Sequence, residues 1–288
     1  MSAATDTTVA TPAPELREIR GPSAFGGEWR RFWHLLWLMS VTDYRTRYVN
    51  SVLGYLWTLL RPLLFFGVIV VVMRQIIRFG GGIENYVEML LLNLMLFQFF
   101  SDATGRAVKS VASSENLVRK MQFPRITIPL SVVLSAAFTT LTNMIAVFAL
   151  LIALGLDPRW TWLLIPVIVL ALLLFITGIS LTLSAAYVRF RDVQQFWNVI
   201  SRTLFYATPI LYLIELVPES FRTIVASNPL SPIFEQARIW IIDADAPTIT
   251  EAAGGAAYLL IPLAIFLGLG AFGVWIFDRE APRVAEQL

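Results

Sequence analysis

The sequence predicts an all-α integral membrane protein whose chain crosses the bilayer six times. Apolar residues make up 57% of its 288 residues and charged residues only 15%, whereas ordinary globular proteins carry roughly 25% charged residues. A soluble domain of this size needs more charge to keep its surface hydrated, and the mean hydropathy of +0.69 points the same way. A soluble enzyme, a disordered scaffold and a nucleic-acid-binding protein are therefore poor interpretations.

Six segments approach the length of about 20 apolar residues that a helix needs to cross the hydrocarbon core. Three of them contain no charged residue. Of the others, one is interrupted by Arg61, and another contains Arg202 near its start and Pro209 near its end. The remaining one begins with a short apolar stretch and continues a helical pattern through Asp102 and Arg106. The six predicted spans are 52–73, 89–109, 126–156, 160–188, 196–214 and 252–277.

The distribution of basic residues predicts that both termini lie in the cytoplasm. With that orientation, 16 Lys and Arg residues fall on cytoplasmic segments or at the polar cytoplasmic ends of the second and fifth spans, and 5 fall on external segments. Such an excess on the cytoplasmic side is what the positive-inside rule expects.

Four regions follow from this topology. Residues 1–27 are rich in Ala, Thr and Pro around their start and predict a disordered cytoplasmic tail. Residues 28–52 precede the first span. Within them, residues 28–37 contain tryptophans at helical spacing next to arginines, which favours an amphipathic helix at the membrane interface; the alternative is that residues 28–37 begin the first span. Residues 53–277 form the six-span domain, and residues 278–288 form a cytoplasmic C-terminal tail.

The segment before the last span predicts a re-entrant hairpin. Pro218, Pro229 and Pro232 interrupt it, and an amphipathic helix follows at 233–242. Helices broken at membrane depth occur only where protein or a water-filled cavity covers the backbone. An ordinary external loop is the alternative.

No catalytic or metal-binding pattern is visible. A nucleotide-binding P-loop needs a Gly-Lys-Ser/Thr sequence, and the only lysines, Lys109 and Lys120, follow Val108 and Arg119. Cysteine is absent and His34 is the single histidine, which leaves no zinc-type ligand set. We therefore expect a chain that is not itself an enzyme and that binds no metal or nucleotide.

Ionisable residues inside the predicted spans are the most informative polar groups, because charge in hydrocarbon is costly and usually faces a cavity or a partner. Arg61 precedes Pro62, and Asp102 and Arg106 are four residues apart on one helix face. One interpretation is mutual neutralisation with packing, and the other is a polar lining for translocation.

Aromatic residues, 13% of the chain, favour a sugar-conducting path. Their flat faces stack on the C–H faces of sugars, and Tyr and Trp add a hydrogen-bonding group, although aromatics also serve helix packing and membrane interfaces. The candidate path residues, charged and aromatic, are Tyr55, Trp57, Arg61, Phe65, Phe97, Phe100, Asp102, Arg106, Tyr206 and Tyr212.

Five short segments occur in order along this topology: 43–57 with Arg61-Pro62, 115–125 with Pro129, 189–192 with Gln195, 208–212, and 228–229 with Arg238. Together they resemble ABC-2-type permeases that export lipid-linked polysaccharides, including O-antigen and teichoic acid exporters. The resemblance covers most of the chain after about Trp29.

The resemblance implies a role for each matching segment. Residues 43–53 are similar to a cytoplasmic gate helix, and residues 209–212 and 229–240 to an external gate hairpin. The implied gate-helix residues are Asp43, Arg45, Arg47 and Tyr48. The implied coupling segment, which docks on an ATPase subunit, contains Asn116, Leu117, Arg119, Lys120, Phe123, Pro124 and Arg125.

The resemblance also implies the partners and the location. Two copies of the chain would assemble with two nucleotide-binding subunits, which bind the ATP and Mg, in the bacterial inner (plasma) membrane. The 20 arginines against 2 lysines are typical of GC-rich genomes such as those of actinobacteria, where the expected cargo is a lipid-linked cell-wall galactan. The alternatives are an ABC-2 drug or lipid efflux permease and, from another class, a membrane-embedded glycosyltransferase.

Overall fold

The computed structural model describes residues 29–48, 52–79, 83–120 and 123–280, and all regular structure within these ranges is helical. A π-helical turn, Val72–Ile76, continues the second helix, and 3-10 turns precede the sixth, eighth and eleventh. The all-α prediction is confirmed for this part of the chain. The α-helices are α1 (Trp29–Tyr48), α2 (Val52–Val71), α3 (Tyr86–Ser113), α4 (Glu115–Lys120), α5 (Thr127–Ala153), α6 (Ile165–Arg189), α7 (Val193–Ala207), α8 (Glu219–Ser227), α9 (Leu230–Ile241), α10 (Ile249–Ala253) and α11 (Leu260–Glu280).

Five helical segments of the described chain are long and apolar enough to cross a bilayer. They match five of the six predicted spans and are Leu59–Ile76, Tyr86–Ser113, Thr127–Ala153, Trp160–Arg189 and Ala256–Glu280.

The segment 196–214, predicted as the fifth span, does not form a single helix long enough to cross the bilayer. Its helix, α7, has 15 residues and is therefore about 22 Å long, less than the roughly 30 Å hydrocarbon core. The helix ends early because Pro209 disfavours a helical conformation at the preceding residue, and Thr208 is accordingly extended, with φ −96° and ψ 143°.

Helix α3 lies at the centre of the bundle, where it contacts α2, α5, α6, α7 and α9. Its side chains Leu90, Leu96 and Phe100 are fully buried. By contrast, α2 and α11 keep many apolar side chains exposed, including Val68 and Leu267. An exposed apolar surface of this kind suits contact with lipid or with another subunit.

Residues 29–48 form one continuous helix where the sequence predicted an interfacial helix followed by a separate gate helix. The buried face of α1 consists of Phe32, Leu36 and Ser40, four residues apart, whereas Trp29 and Trp33 are exposed. This face packs along α5. The location of residues 28–37 at the membrane interface stays a prediction.

Glycine residues let α6 and α11 meet backbone to backbone. A Cβ atom at Gly273 would overlap the carbonyl oxygen of Gly178, and one at Gly178 would lie 2.7 Å from the Cα of Gly270. Small residues allow membrane helices to approach closely, which maximises their van der Waals contact. The last span is therefore held to the bundle by a contact that tolerates no side chain at these two positions.

Gly273→Ala is expected to lower the thermal midpoint of the purified protein by at least ~3 °C, because overpacking of a tight contact costs about 1–3 kcal/mol. Gly268→Ala is the matched control, since a Cβ atom there meets nothing within 4 Å. Equal thermal midpoints for the two variants in a detergent melting assay would contradict this packing.

Candidate translocation site

Four charged side chains form a continuous ion-pair network between α1 and α3. Asp43 lies 3.0 Å from Arg47 and 3.4 Å from Arg106, and Arg106 lies 2.8 Å from Asp102. The predicted pairing of Asp102 with Arg106 is present, and Asp43 extends it to the helix implied as the gate. The network contains two cations and two anions, so it is neutral as a unit.

Arg61 is the fifth charge in this region and stands outside that network. It forms no ion pair within 4.0 Å with a carboxylate of the described residues, and its side chain is exposed. It lines a cavity of about 140 Å³ between α2, α3 and α5, together with Arg47, Asp102 and Asn143. The region therefore carries one uncompensated positive charge.

A larger cavity of about 410 Å³ lies between α2, α3 and α7. Three predicted path residues line it, Phe65, Phe97 and Tyr206. The sequence did not select the other aromatic residue of the wall, Phe205, although its ring contacts the rings of Phe97 and Tyr206 at centroid distances of 5.2 and 5.1 Å. Arg202, noted in the sequence only as an interruption, adds a cation to the wall.

The two cavities are neighbours, because Pro62 of α2 and Gln98 of α3 line both. An uncompensated arginine thus lies next to an aromatic wall. Guanidinium groups suit the oxygens of phosphates, and aromatic faces suit sugars.

The other predicted path residues lie elsewhere. Phe100 is fully buried and stacks on Phe175 of α6, with ring centroids 6.1 Å apart, so it belongs to the core and lines neither cavity. Trp57 is 58% exposed on α2. Tyr212 donates a hydrogen bond to the carbonyl oxygen of Tyr206, beside the larger cavity. The side chains of Tyr48, Tyr55 and Arg119 lie outside the described part of the structure.

The irregular segment after α7 is held by side chains of the neighbouring elements. Asn93 and Tyr86 of α3 donate hydrogen bonds to the carbonyl oxygens of Pro209 and Leu211, at 3.3 and 2.7 Å. Asn228 donates to the hydroxyl of Thr208 at 2.9 Å. Side chains of α3 therefore donate the hydrogen bonds that the carbonyl oxygens of Pro209 and Leu211 would have accepted from backbone N–H groups in a continued helix.

A buried charge cluster holds the segment after α7 to α9. The Arg238 guanidinium contacts Glu215 at 3.0 Å and Glu235 at 3.3 Å, and the Glu235 side chain is only 3% exposed. Three charged groups of the segment after α7 and of α9 therefore meet, with Arg238 within ion-pair distance of both carboxylates.

The implied coupling segment divides into an exposed and a buried part. Asn116 and Lys120 of α4 are exposed, and Leu117 is half-buried. Phe123, Pro124 and Arg125 are buried instead.

The buried half results from the packing of one end of the helix bundle. Phe123 is 8% exposed and lies in a cluster with Phe32, Leu36 and Phe277. The chain turns into the bundle before α5, so the apolar side chain of Phe123 joins the core. Contact between Phe123 and the ATPase stays a prediction.

Within the described ranges, no group of three or more His, Cys, Asp or Glu side chains is placed to hold a metal ion.

These features define a polytopic helical membrane protein with a polar, aromatic-lined interior site. The sequence profile of ABC-2 type transporters matches residues 34–242, and the chain belongs to this family. It is 30% identical over 257 residues to an O-antigen export system permease protein of Klebsiella pneumoniae, covering 88% of this chain and 95% of the relative. It is 32% identical to the protein of the same name from Myxococcus xanthus, over 65% of this chain and 72% of the relative.

A more distant relative is a capsule polysaccharide export inner-membrane protein of Neisseria meningitidis. It is 21% identical over 64% of this chain and 70% of the relative. The protein is thus an ABC-2 permease homologous to permeases of O-antigen and capsule polysaccharide export.

Proposed function

We propose that this chain is the permease subunit of an ABC exporter that moves a lipid-linked polysaccharide from the cytoplasm to the outer face of the inner membrane. ATP hydrolysis takes place in a separate nucleotide-binding subunit, and two copies of the permease form the path. The names of its relatives support this class of substrate.

The observation that carries the proposal is the position of Arg61 beside the aromatic cavity. An uncompensated arginine in a membrane helix is tolerated when it reaches water or an anion. A glycan lipid supplies such an anion in its phosphate, with the sugars directly attached. Arg61 holds the phosphate, while Phe65, Phe97 and Tyr206 contact the sugars that follow.

The ion-pair network gives the ATPase a route to this site. Asp43 and Arg47 lie on α1, whose other end packs in the cytoplasmic cluster with Phe123. A shift of α4 and this cluster would displace α1 and thereby Asp43 relative to Arg106. For ATP to drive this shift, its two nucleotide states must contact the permease differently.

We also propose how the chain is oriented in the membrane. Both termini lie in the cytoplasm, and α7 with the segment that follows completes a sixth crossing. The external segment re-enters the membrane with its turn at Asn228 and Pro229. In support, Asn228, Pro229 and Leu230 line a cavity together with Phe175 of α6 and Leu204 of α7, and Phe175 lies about 15 Å along α6 from its outer end.

Depleting the protein in its host tests the proposed function. We expect lipid-linked polysaccharide, a cell-wall galactan in an actinobacterium, to accumulate on the cytoplasmic face of the membrane. Normal export of the polysaccharide during depletion would reject the proposal, and export of a drug or a phospholipid instead would favour the efflux alternative.

Lys120→Glu is expected to weaken the complex with the ATPase at least several-fold, because it reverses an exposed charge on α4. Co-purification of the two subunits measures the effect. Lys109→Glu, the same change at the chain's other lysine on α3, should weaken the complex less. Equal effects of the two substitutions would show that overall charge, not α4, governs docking.

A further inference from the structure

Two apolar cavities lie beside the turn that joins α8 to α9. The first apolar cavity, of about 300 Å³, lies between α6, α9 and the start of α11. The second apolar cavity, of about 280 Å³, is enclosed by α6, α7, α9 and α11. Pro229 lines both, so the two are neighbours. The first is lined among others by Ala171 and Leu263, and the second by Phe175 and Leu269.

Both cavities lie within spanning segments, at depths that belong to the hydrocarbon core. Helices α6 and α11 begin on the same side of the bundle, because their glycine contact lies about 20 Å from the first residue of each. Ala171 and Leu263 lie about 9 and 4.5 Å from those first residues, and Phe175 and Leu269 about 15 and 13.5 Å. A lipid chain from this side would therefore pass the first cavity before the second.

The walls of the two cavities offer nothing to a polar ligand. None of the described residues that line them is charged, and the side chains of the first cavity are all apolar. In the second, Thr182 and Trp197 already donate hydrogen bonds to α6 and α3, each at 3.0 Å, and Asn228 donates to Thr208 at 2.9 Å. A buried water needs two to four polar partners, so water does not fill these cavities.

The shape of the second cavity selects a single hydrocarbon chain as the occupant. Protein interiors contain few voids larger than a water molecule, and an empty void forfeits the dispersion contacts of its lining. A helix of a second copy is about 10–12 Å wide, so it would have to push apart the four helices that enclose this cavity. A lipid chain passes between them, and the surrounding bilayer supplies such chains in large excess.

We infer that the two apolar cavities form one binding site for an acyl chain of a bilayer phospholipid. The chain enters beside Leu263, passes Pro229 and ends beside Phe175. The rings of Phe175 and Phe266 stack at a centroid distance of 5.5 Å and separate the cavities elsewhere, since each ring lines one of them. The turn at Asn228 and Pro229 is thus packed against lipid as well as protein. This inference goes beyond the proposed function, because it does not depend on the cargo.

Photolabelling of the reconstituted permease–ATPase complex tests the site. The probe is phosphatidylglycerol with a diazirine near the end of one acyl chain, and mass spectrometry locates its adducts. Phe175 and Leu230 of the second cavity are 4% and 0% exposed, so lipid on the outer surface of the bundle does not reach them. We expect adducts on both, in addition to those on Leu174, which is exposed on α6. Labelling of Leu174 without labelling of Phe175 and Leu230 would overturn the inference.

Leu263→Trp is expected to abolish the adducts on Phe175 and Leu230, because the larger side chain occupies the first cavity. Leu267→Trp is the matched control: Leu267 lies one turn further along α11, is 59% exposed against 51% for Leu263, and lines neither cavity. It should label as the wild type does. Equal labelling in the two variants would contradict the inferred path.

Ala171→Phe occupies the same cavity from α6 and should also abolish the inner adducts. It decides the question if Leu263→Trp does not fold, which basal ATPase activity and the thermal midpoint of the complex reveal. Inner adducts that persist in a folded Ala171→Phe complex would again contradict the path.

Two other occupants are tested in the same system. Unlabelled phosphatidylglycerol should compete for Phe175 more strongly than a polyprenyl alcohol; the reverse order would assign the site to a prenyl tail and overturn the inference. The chain has no cysteine, so Leu263→Cys reports directly on a second copy. Disulfide-linked permease dimers through this residue would place another copy over the first cavity and likewise overturn it. Glycan export is measured separately, so each of these results would leave the proposed function intact.

Discussion

Replacing Arg61 by Ala is expected to reduce export of the lipid-linked glycan by about tenfold to a hundredfold. The reason is loss of a charge-assisted contact with the phosphate, a type of bond worth about 1.5–3 kcal/mol. The variant should fold, because Arg61 is exposed and pairs with no described carboxylate. Export by the reconstituted complex, with the amount of inserted protein measured in parallel, gives the result.

Two comparisons make this prediction specific. Arg74→Ala removes an exposed arginine from the π-helical turn at the other end of the same segment and should leave export nearly unchanged. A double-mutant cycle with Asp102→Asn measures any coupling between Arg61 and Asp102. Strong coupling in stability, with no separate effect of Arg61→Ala on the response to substrate, would make Arg61 a structural residue.

Replacing Arg238 by Ala is expected to have the largest effect on stability, with a loss of about 3–5 kcal/mol. Removing one member of a buried ion pair leaves the other charge without compensation, and here both Glu235 and Glu215 lose their cation. Adding Glu235→Gln should restore part of the loss, because a neutral amide needs no counter-charge. Thermal melting of the three variants measures this, and no recovery in the double variant would count against a charge-based explanation.

Local spacing predicted the features that depend on a single helix. Asp102 and Arg106 pair because residues four apart on a helix are neighbours, and this contact needs no knowledge of the fold. The charge-free stretches likewise became long helices, since apolar length alone decides whether a helix can span the membrane.

Features that depend on helix packing were not predictable in this way. Asp43 joins the ion-pair network only because α1 packs on α5, which brings the Asp43 carboxylate within 3.4 Å of Arg106 on α3. Phe97 and Phe100 are three residues apart, yet only Phe97 lines the aromatic cavity, since Phe100 turns toward α6. Phe123 lies in a basic loop, which suggested exposure, but its neighbours in space are Phe32 and Phe277.

The sequence carries a signal of a polar environment at Asn143. A single amide in the long apolar stretch 126–156 costs free energy in a membrane and so marks a polar environment. Its cavity could not be inferred, because Arg61 and Gln98 reach the same space from two other helices.

ATP-dependent movement of lipid-linked glycan in proteoliposomes tests the central claim most directly. The permease and its ATPase are reconstituted with their cytoplasmic faces outward, and a glycan-degrading enzyme is added outside. Wild-type complex with ATP should protect the glycan progressively by moving it into the lumen, and the Arg61→Ala complex should not. Equal degradation of the glycan with and without ATP, by a complex that hydrolyses ATP, would contradict the account.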